Sequence, residues 1–202
     1  IEEAYQLFNH HKVGIVMNAY DMKQGKTILF LNKKAIKMLK DTRFNIAAHH
    51  KEFICEELTP EGIRGALQLF QYGTYKYKNY ELYDGAYMFN PFIQPLKIEK
   101  KLFLIVASCV TKPPDKFKTA LDIQSKTTRL MFQNVIHNEI NSIDLINKLI
   151  DEGEIKESKR IHKIDLKLIE PNSHVDYWDF FSEKSETFEE GEKAALSSLI
   201  KI

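Results

Sequence analysis

Asp84-Gly85-Ala86 follows Tyr80-Glu81-Leu82-Tyr83 and stands shortly before Asn90-Pro91. It is the stretch whose residue types could hold a carboxylate in a fixed direction. An aspartate on a tight turn can orient and polarise a hydroxyl nucleophile, and a glycine beside it lets another loop come close. Asp-Gly is equally a turn dipeptide, and local sequence does not choose between these roles. Other candidates carry less chemistry. His10-His11 and His49-His50 have neither the i,i+4 spacing of a helical metal pair nor a Cys/His ligand spacing, so no metal site is expected. Ser108 follows an apolar run but lacks the flanking glycines of a nucleophile elbow, and reads as structural. Tyr72, Tyr75, Tyr77, Tyr80 and Tyr83 could stack bases, yet without basic companions they suit half-buried packing. His137, Asn138 and Glu139 lie partly off the apolar stripe of a helix and read as surface or structural residues. The sequence has no Gly-x-Ser-x-Gly, phosphate-loop lysine, dinucleotide fingerprint, His-Glu-x-x-His or calcium loop. No cofactor is expected.

The elements that would position Asp84 come from hydrophobic period and turn chemistry. Val13–Met17 and Thr27–Leu31 read as strands around an Asp21–Lys26 turn, with Gly25 suited to positive φ. Asn32–Leu39 reads as a short helix with a basic outer face; Lys33, Lys34, Lys37 and Lys40 there suit either solvent or anionic headgroups. Phe44–Leu58 looks irregular. Thr59-Pro60 has the chemistry of a helix start, cap then first-turn proline. Two short strands are predicted around Lys78-Asn79, and Lys101–Val110 as a buried strand. The Pro-containing stretch Thr111–Phe117 separates this part from a helical period of Phe132, Ile136, Ile140, Ile143 and Ile150, within a helix from about Ser125 to Asp151. A strand over Ile161–Ile169 and a helix over Phe188–Leu199 follow. Strands alternating with helices predict an α/β fold with a mostly parallel sheet covered by helices.

Composition narrows the classes. Lys plus Arg is 29 and Asp plus Glu is 28, for a net charge of +1, which excludes a strongly basic nucleic-acid binder. No apolar run approaches the roughly 18–20 residues of a membrane span. Cys55 and Cys109 are far apart and fit a reducing compartment. The chain begins at Ile1, from which an upstream part is expected.

Four stretches, in order, resemble the patatin-like phospholipase family. Val13–Phe30 is similar to the family's strand, Asp-x-x-x-Gly turn and strand, and Ile63–Phe70 to its following helix and loop. Tyr80–Pro91 resembles the Asp-Gly-Gly/Ala motif with its trailing Asn-Pro, and Leu102–Ser108 the next strand. Arg129–Leu149, Ile161–Ile164 and Ser185–Leu199 resemble the C-terminal extension of bacterial members. Gly65-Ala66 and Phe89 depart from the family's usual residues.

The resemblance implies a three-layer α/β fold lacking its N-terminal part. Residues 1–120 would be the second part of the hydrolytic domain and 121–202 a helical extension packed on it. It implies a lipid acyl-ester hydrolase using a Ser-Asp dyad, with Asp84 catalytic and Gly85, Ala86 and Asn90 supporting it. The serine and oxyanion loop would come from an upstream segment or chain, so this chain alone would be inactive. The implied partners are a lipid or other acyl-ester substrate, that upstream part, and a peripheral membrane contact from a cytoplasmic location. Two alternatives accompany this reading: a non-catalytic interaction or membrane-surface module, and a hydrolase of small or polymeric hydroxyacyl esters.

Overall fold

The runs on either side of Met22–Gly25 pair as an antiparallel hairpin, β1 (Val16–Asp21) with β2 (Lys26–Leu31), Ala19 opposite Ile28. The computed structural model describes residues 1–10, 12–39, 53–69, 72–88, 93, 99–106, 119–158, 161–171 and 185–199. Within its helices, the side chains at 39, 121, 122, 125, 128, 132, 185–188, 198 and 199 lie outside the description. The chain forms two compact units, Ile1–Pro95 and Leu96–Ile202. The strand expected over Lys101–Val110, placed by sequence with residues 1–120, is observed over Lys101–Ile105 in the second unit; residues 107–110 lie outside the described residues.

In the first unit, α1 (Glu2–Asn9) precedes the hairpin, and α2 (Lys33–Leu39), β3 (Phe53–Glu57), α3 (Pro60–Ala66), β4 (Tyr75–Tyr77) and β5 (Tyr80–Asp84) follow it. The sheet order is β3-β2-β1-β5-β4. It is mixed, which corrects the expectation of a mostly parallel sheet: β1–β2, β1–β5 and β4–β5 are antiparallel and β2–β3 alone is parallel. For β1–β2 and β4–β5 the cause is connection length. Met22–Gly25 and Lys78-Asn79 are too short for a parallel crossover, which needs about a dozen residues. The predicted irregular stretch contains β3, and His49-His50 and Lys40 lie outside the described residues.

Thr59 caps α3 as read, its Oγ1 accepting the Gly62 N–H at 3.0 Å. Gly62 and Gly65 let that helix lie close on the sheet. A Cβ at Gly62 would stand 2.6 Å from Phe30 Cδ1, and one at Gly65 2.6 Å from Leu82 Cδ1. Ala19, Ile28, Phe30, Leu58, Ile63, Ala66 and Leu82 form the resulting core.

The sheet coils enough to bring edge strand β3 to β5 and to the turn before it. Glu56 on edge strand β3 accepts from Tyr80 OH at 2.9 Å and pairs with Lys78 Nζ at 2.5 Å. In a flat sheet three strand spacings of about 4.8 Å would hold β3 and β5 some 14 Å apart, with both side chains standing off the sheet and not reaching along it.

Asn32 is fully buried and completes the hairpin's exit. Its Oδ1 accepts the N–H groups of Ile15 (3.0 Å) and Ala35 (2.8 Å), the second as cap of α2. Its Nδ2 donates to the carbonyls of Phe8 (2.8 Å) and Val13 (3.0 Å).

The second unit contains β6 (Lys101–Ile105), α4 (Ala120–Asp151), β7 (Asp165–Ile169) and α5 (Ser185–Leu199). β6 and β7 pair in parallel, Leu104 opposite Leu168. β6 alternates buried and exposed residues, so it is not a strand covered on both faces. Leu104 and Ile136 make a buried cluster, with Val106, Ile140, Leu166 and Leu168 against it. Asn147 acts as a surrogate strand: it donates to Ile164 O and accepts Ile164 N–H, both at 2.9 Å. The Phe132 side chain of the predicted stripe lies outside the described residues; Ile136 and Ile143 are buried as expected.

Candidate functional site

Asp84 ends β5 opposite Ala19 of β1, and its N–H donates to Gln68 O at 2.8 Å. Its Oδ1 accepts the Ala86 N–H at 2.8 Å and so caps the single 3-10 turn Gly85–Tyr87. Met88 N–H closes that turn on Gly85 O at 3.0 Å. The aspartate therefore stands on a turn after a strand, as the sequence led one to expect, with Ala86 as its backbone partner. Asn90, together with Phe89, lies outside the described residues.

Gly85 makes the close approach its type suggested, with the first unit's own strand. A Cβ there would stand 2.5 Å from the backbone oxygen of Asn18, and closer still to that residue's amide. Backbone cannot yield as a side chain can. Gly85→Ala should therefore cost about 1–3 kcal/mol, read as a shift in denaturation midpoint.

Burial pushes the Asp84 carboxyl above the ordinary aspartate range, and the Ala86 N–H partly opposes this. A carboxyl raised on folding contributes its stability fully below the unfolded-state pKa and loses it as pH rises through the folded value. Asp84→Asn keeps an acceptor for Ala86 but cannot ionise. The variant should gain stability relative to the parent as pH rises above about 4, with the smallest difference in acid; paired thermal melts across pH check this.

No serine hydroxyl partners Asp84 among the described residues, and residues 1–95 contain no serine. A second carboxylate, Asp21, shares its face of the sheet two ladder positions away, register-paired with Leu82. Asp21 is fully buried, its Oδ1 accepting Glu81 N–H (2.8 Å) and Lys23 N–H (3.2 Å). It ties the first turn to β5.

Sequence reasoning passed over the Glu56–Lys78–Tyr80 cluster, because Glu56 sits in a stretch without strand alternation. Burial first, and then the bond to Glu56, raise the Tyr80 phenol, while Glu56 holds the Lys78 ammonium up. Lys78 adopts a left-handed φ of 51° in the β4–β5 turn. Tyr77 packs edge-on to Phe30 at 5.8 Å and Tyr83 to Tyr20 at 5.5 Å, the packing role expected of these two, whereas Tyr72, expected to be half-buried with them, is exposed.

His10 ends α1 on the surface and His137 is half-buried on α4, whereas His162 is buried before β7. His11 and Ser108 lie outside the described residues. Among the described residues no three His, Cys, Asp or Glu side chains are grouped to hold a metal. No helix among them is long and apolar enough to cross a membrane.

Comparison of the chain with protein-family models, with curated proteins and with solved structures gave no match.

Proposed function

We propose that this chain is a non-catalytic interaction module. The observation that carries this reading is the exposed apolar surface of the second unit. Phe103 and Ile105 on β6, and Ile123, Met131 and Leu145 on α4, are large side chains left in water. Surface of this kind marks binding to another macromolecule when it is contiguous along an element. The state of Asp84 supports the same reading: its carboxylate caps a turn in an antiparallel ladder, a structural use of the residue.

One observation favours the acyl-ester hydrolase as a second reading. A half-buried carboxyl raised by desolvation, at the end of a strand, has the environment of a general base. In that reading Asp84 would act on a serine supplied from outside residues 1–95, with Gly85 and Ala86 holding its turn and Asn90 beside it.

Incubating the purified chain with short-chain acyl esters and with phospholipid vesicles separates the two. The interaction reading expects hydrolysis at the background rate, unchanged by Asp84→Asn. Turnover above background that Asp84→Asn removes would overturn it and establish the hydrolase.

A further inference from the structure

Helix α4 is 32 residues long, about 48 Å at 1.5 Å per residue. One side of it carries the buried Ile136 and Ile143. On the opposite side Ile123, Thr127, Leu130, Met131, Asn134, Asn138, Asn141 and Leu145 are all exposed. At about 100° per residue these positions fall within an arc of roughly 100°, a single face. None is charged, although charged residues make up 28% of the chain and favour surfaces.

The face also repeats every seven residues. Ile123 is followed by Leu130, Thr127 by Asn134 and Asn141, and Met131 by Asn138 and Leu145. A seven-residue recurrence of one surface is the condition for two helices to lie along each other over several turns. We infer that this face of α4 is where a second copy of the chain docks, a partner assignment that rests on the interaction reading above.

Three features select a second copy over other occupants. Between Ile123 and Leu145 the face is charge-free and meets its own copy without like-charge repulsion, which is what a two-fold, self-complementary contact requires. Each of Asn134, Asn138 and Asn141 offers both a donor and an acceptor, so the same amides can satisfy one another across a two-fold seam. A bilayer is a poorer match: three amides would enter an apolar layer, and between Ile123 and Leu145 no lysine or arginine lies on the face to meet headgroups, the nearest being Lys148, a turn further on and paired with Glu152. The seam covers some three heptads, near the lower limit for a sustained coiled coil, so the dimer depends on concentration.

The test is sedimentation of the full chain over roughly 1–100 μM. The expected mass rises from 23.6 kDa towards twice that value. Leu130→Glu with Met131→Glu should raise the dissociation constant by about a hundredfold, leaving helix content and melting temperature unchanged, since both side chains are exposed. Leu145→Lys, at the other end of the face, should raise it by about tenfold and provides a second variant should the double one misfold. A mass of 23.6 kDa at every concentration would overturn the inference, as would a dimer indifferent to these changes or a monomer that floats with phosphatidylcholine or phosphatidylserine vesicles. Such a monomer without ester hydrolysis would sink the self-association alone. Hydrolysis removed by Asp84→Asn would sink the interaction reading itself, whatever the mass.

Discussion

Asn32→Ala should destabilise the first unit by about 3–5 kcal/mol, one of the two largest single-residue effects expected in this chain. The side chain is fully buried and makes four hydrogen bonds, two as acceptor and two as donor. Alanine would orphan the N–H groups of Ile15 and Ala35 and remove one donor each from the carbonyls of Phe8 and Val13. Each buried orphan costs roughly 1–3 kcal/mol, and partial entry of water keeps the total below the sum. Loss of the α2 cap is included, since Ala35 N–H is the capped donor. Hydrogen exchange of the β1–β2 amides is the suitable readout, because protection there reports opening of the hairpin. Lys33→Ala, one residue on and exposed, should change protection by less than about 0.5 kcal/mol. Equal effects at the two positions would refute the assigned role of Asn32.

Ile143→Ala should cost the second unit about 2–5 kcal/mol. Ile143 is 1% exposed, seven residues beyond the buried Ile136, on the side of α4 that faces inward. Removing it deletes apolar burial worth roughly 25 cal/mol per Å² and leaves a cavity that a rigid helix does not refill. The vacated side chain stands one turn before Asn147, whose two bonds to Ile164 hold the approach to β7. Protection of the β6–β7 amides should therefore fall along with that of α4. Leu145→Ala, two residues on and exposed, should leave both nearly unchanged in the monomer. Because the chain forms two units, exchange resolved by segment assigns the loss to the second of them.

The features legible in the sequence are those whose physics is complete within a few residues. The Asp21–Lys26 turn, with Gly25 at a φ of 65°, belongs to this class. So do the Thr59-Pro60 start of α3, the two strands around Lys78-Asn79 and the turn at Asp84-Gly85-Ala86. The inward period of α4 was equally readable, because a helix repeats its face every 3.6 residues whatever it packs on. Even Asn32 stands where a cap for α2 belongs, so half of its role could be read from the residues beside it.

What only the tertiary structure decided is which of these pieces meet. β1 takes β5, some sixty residues away, as its second neighbour; β2 takes β3 in parallel; β6 leaves the first unit to pair with β7. The order of strands and helices suggested a mostly parallel sheet, but alternation along a strand is the same for either direction of its neighbour. The chemistry of Asp84 was open for the same reason. Residue type and turn placed the carboxylate after a strand with the Ala86 N–H two residues on as its local partner, while its desolvation depends on how β5 lies against β1. Glu56 joins Tyr80 and Lys78 only because the sheet coils. Coiling accumulates from small twists over many residues and leaves no mark at any one of them.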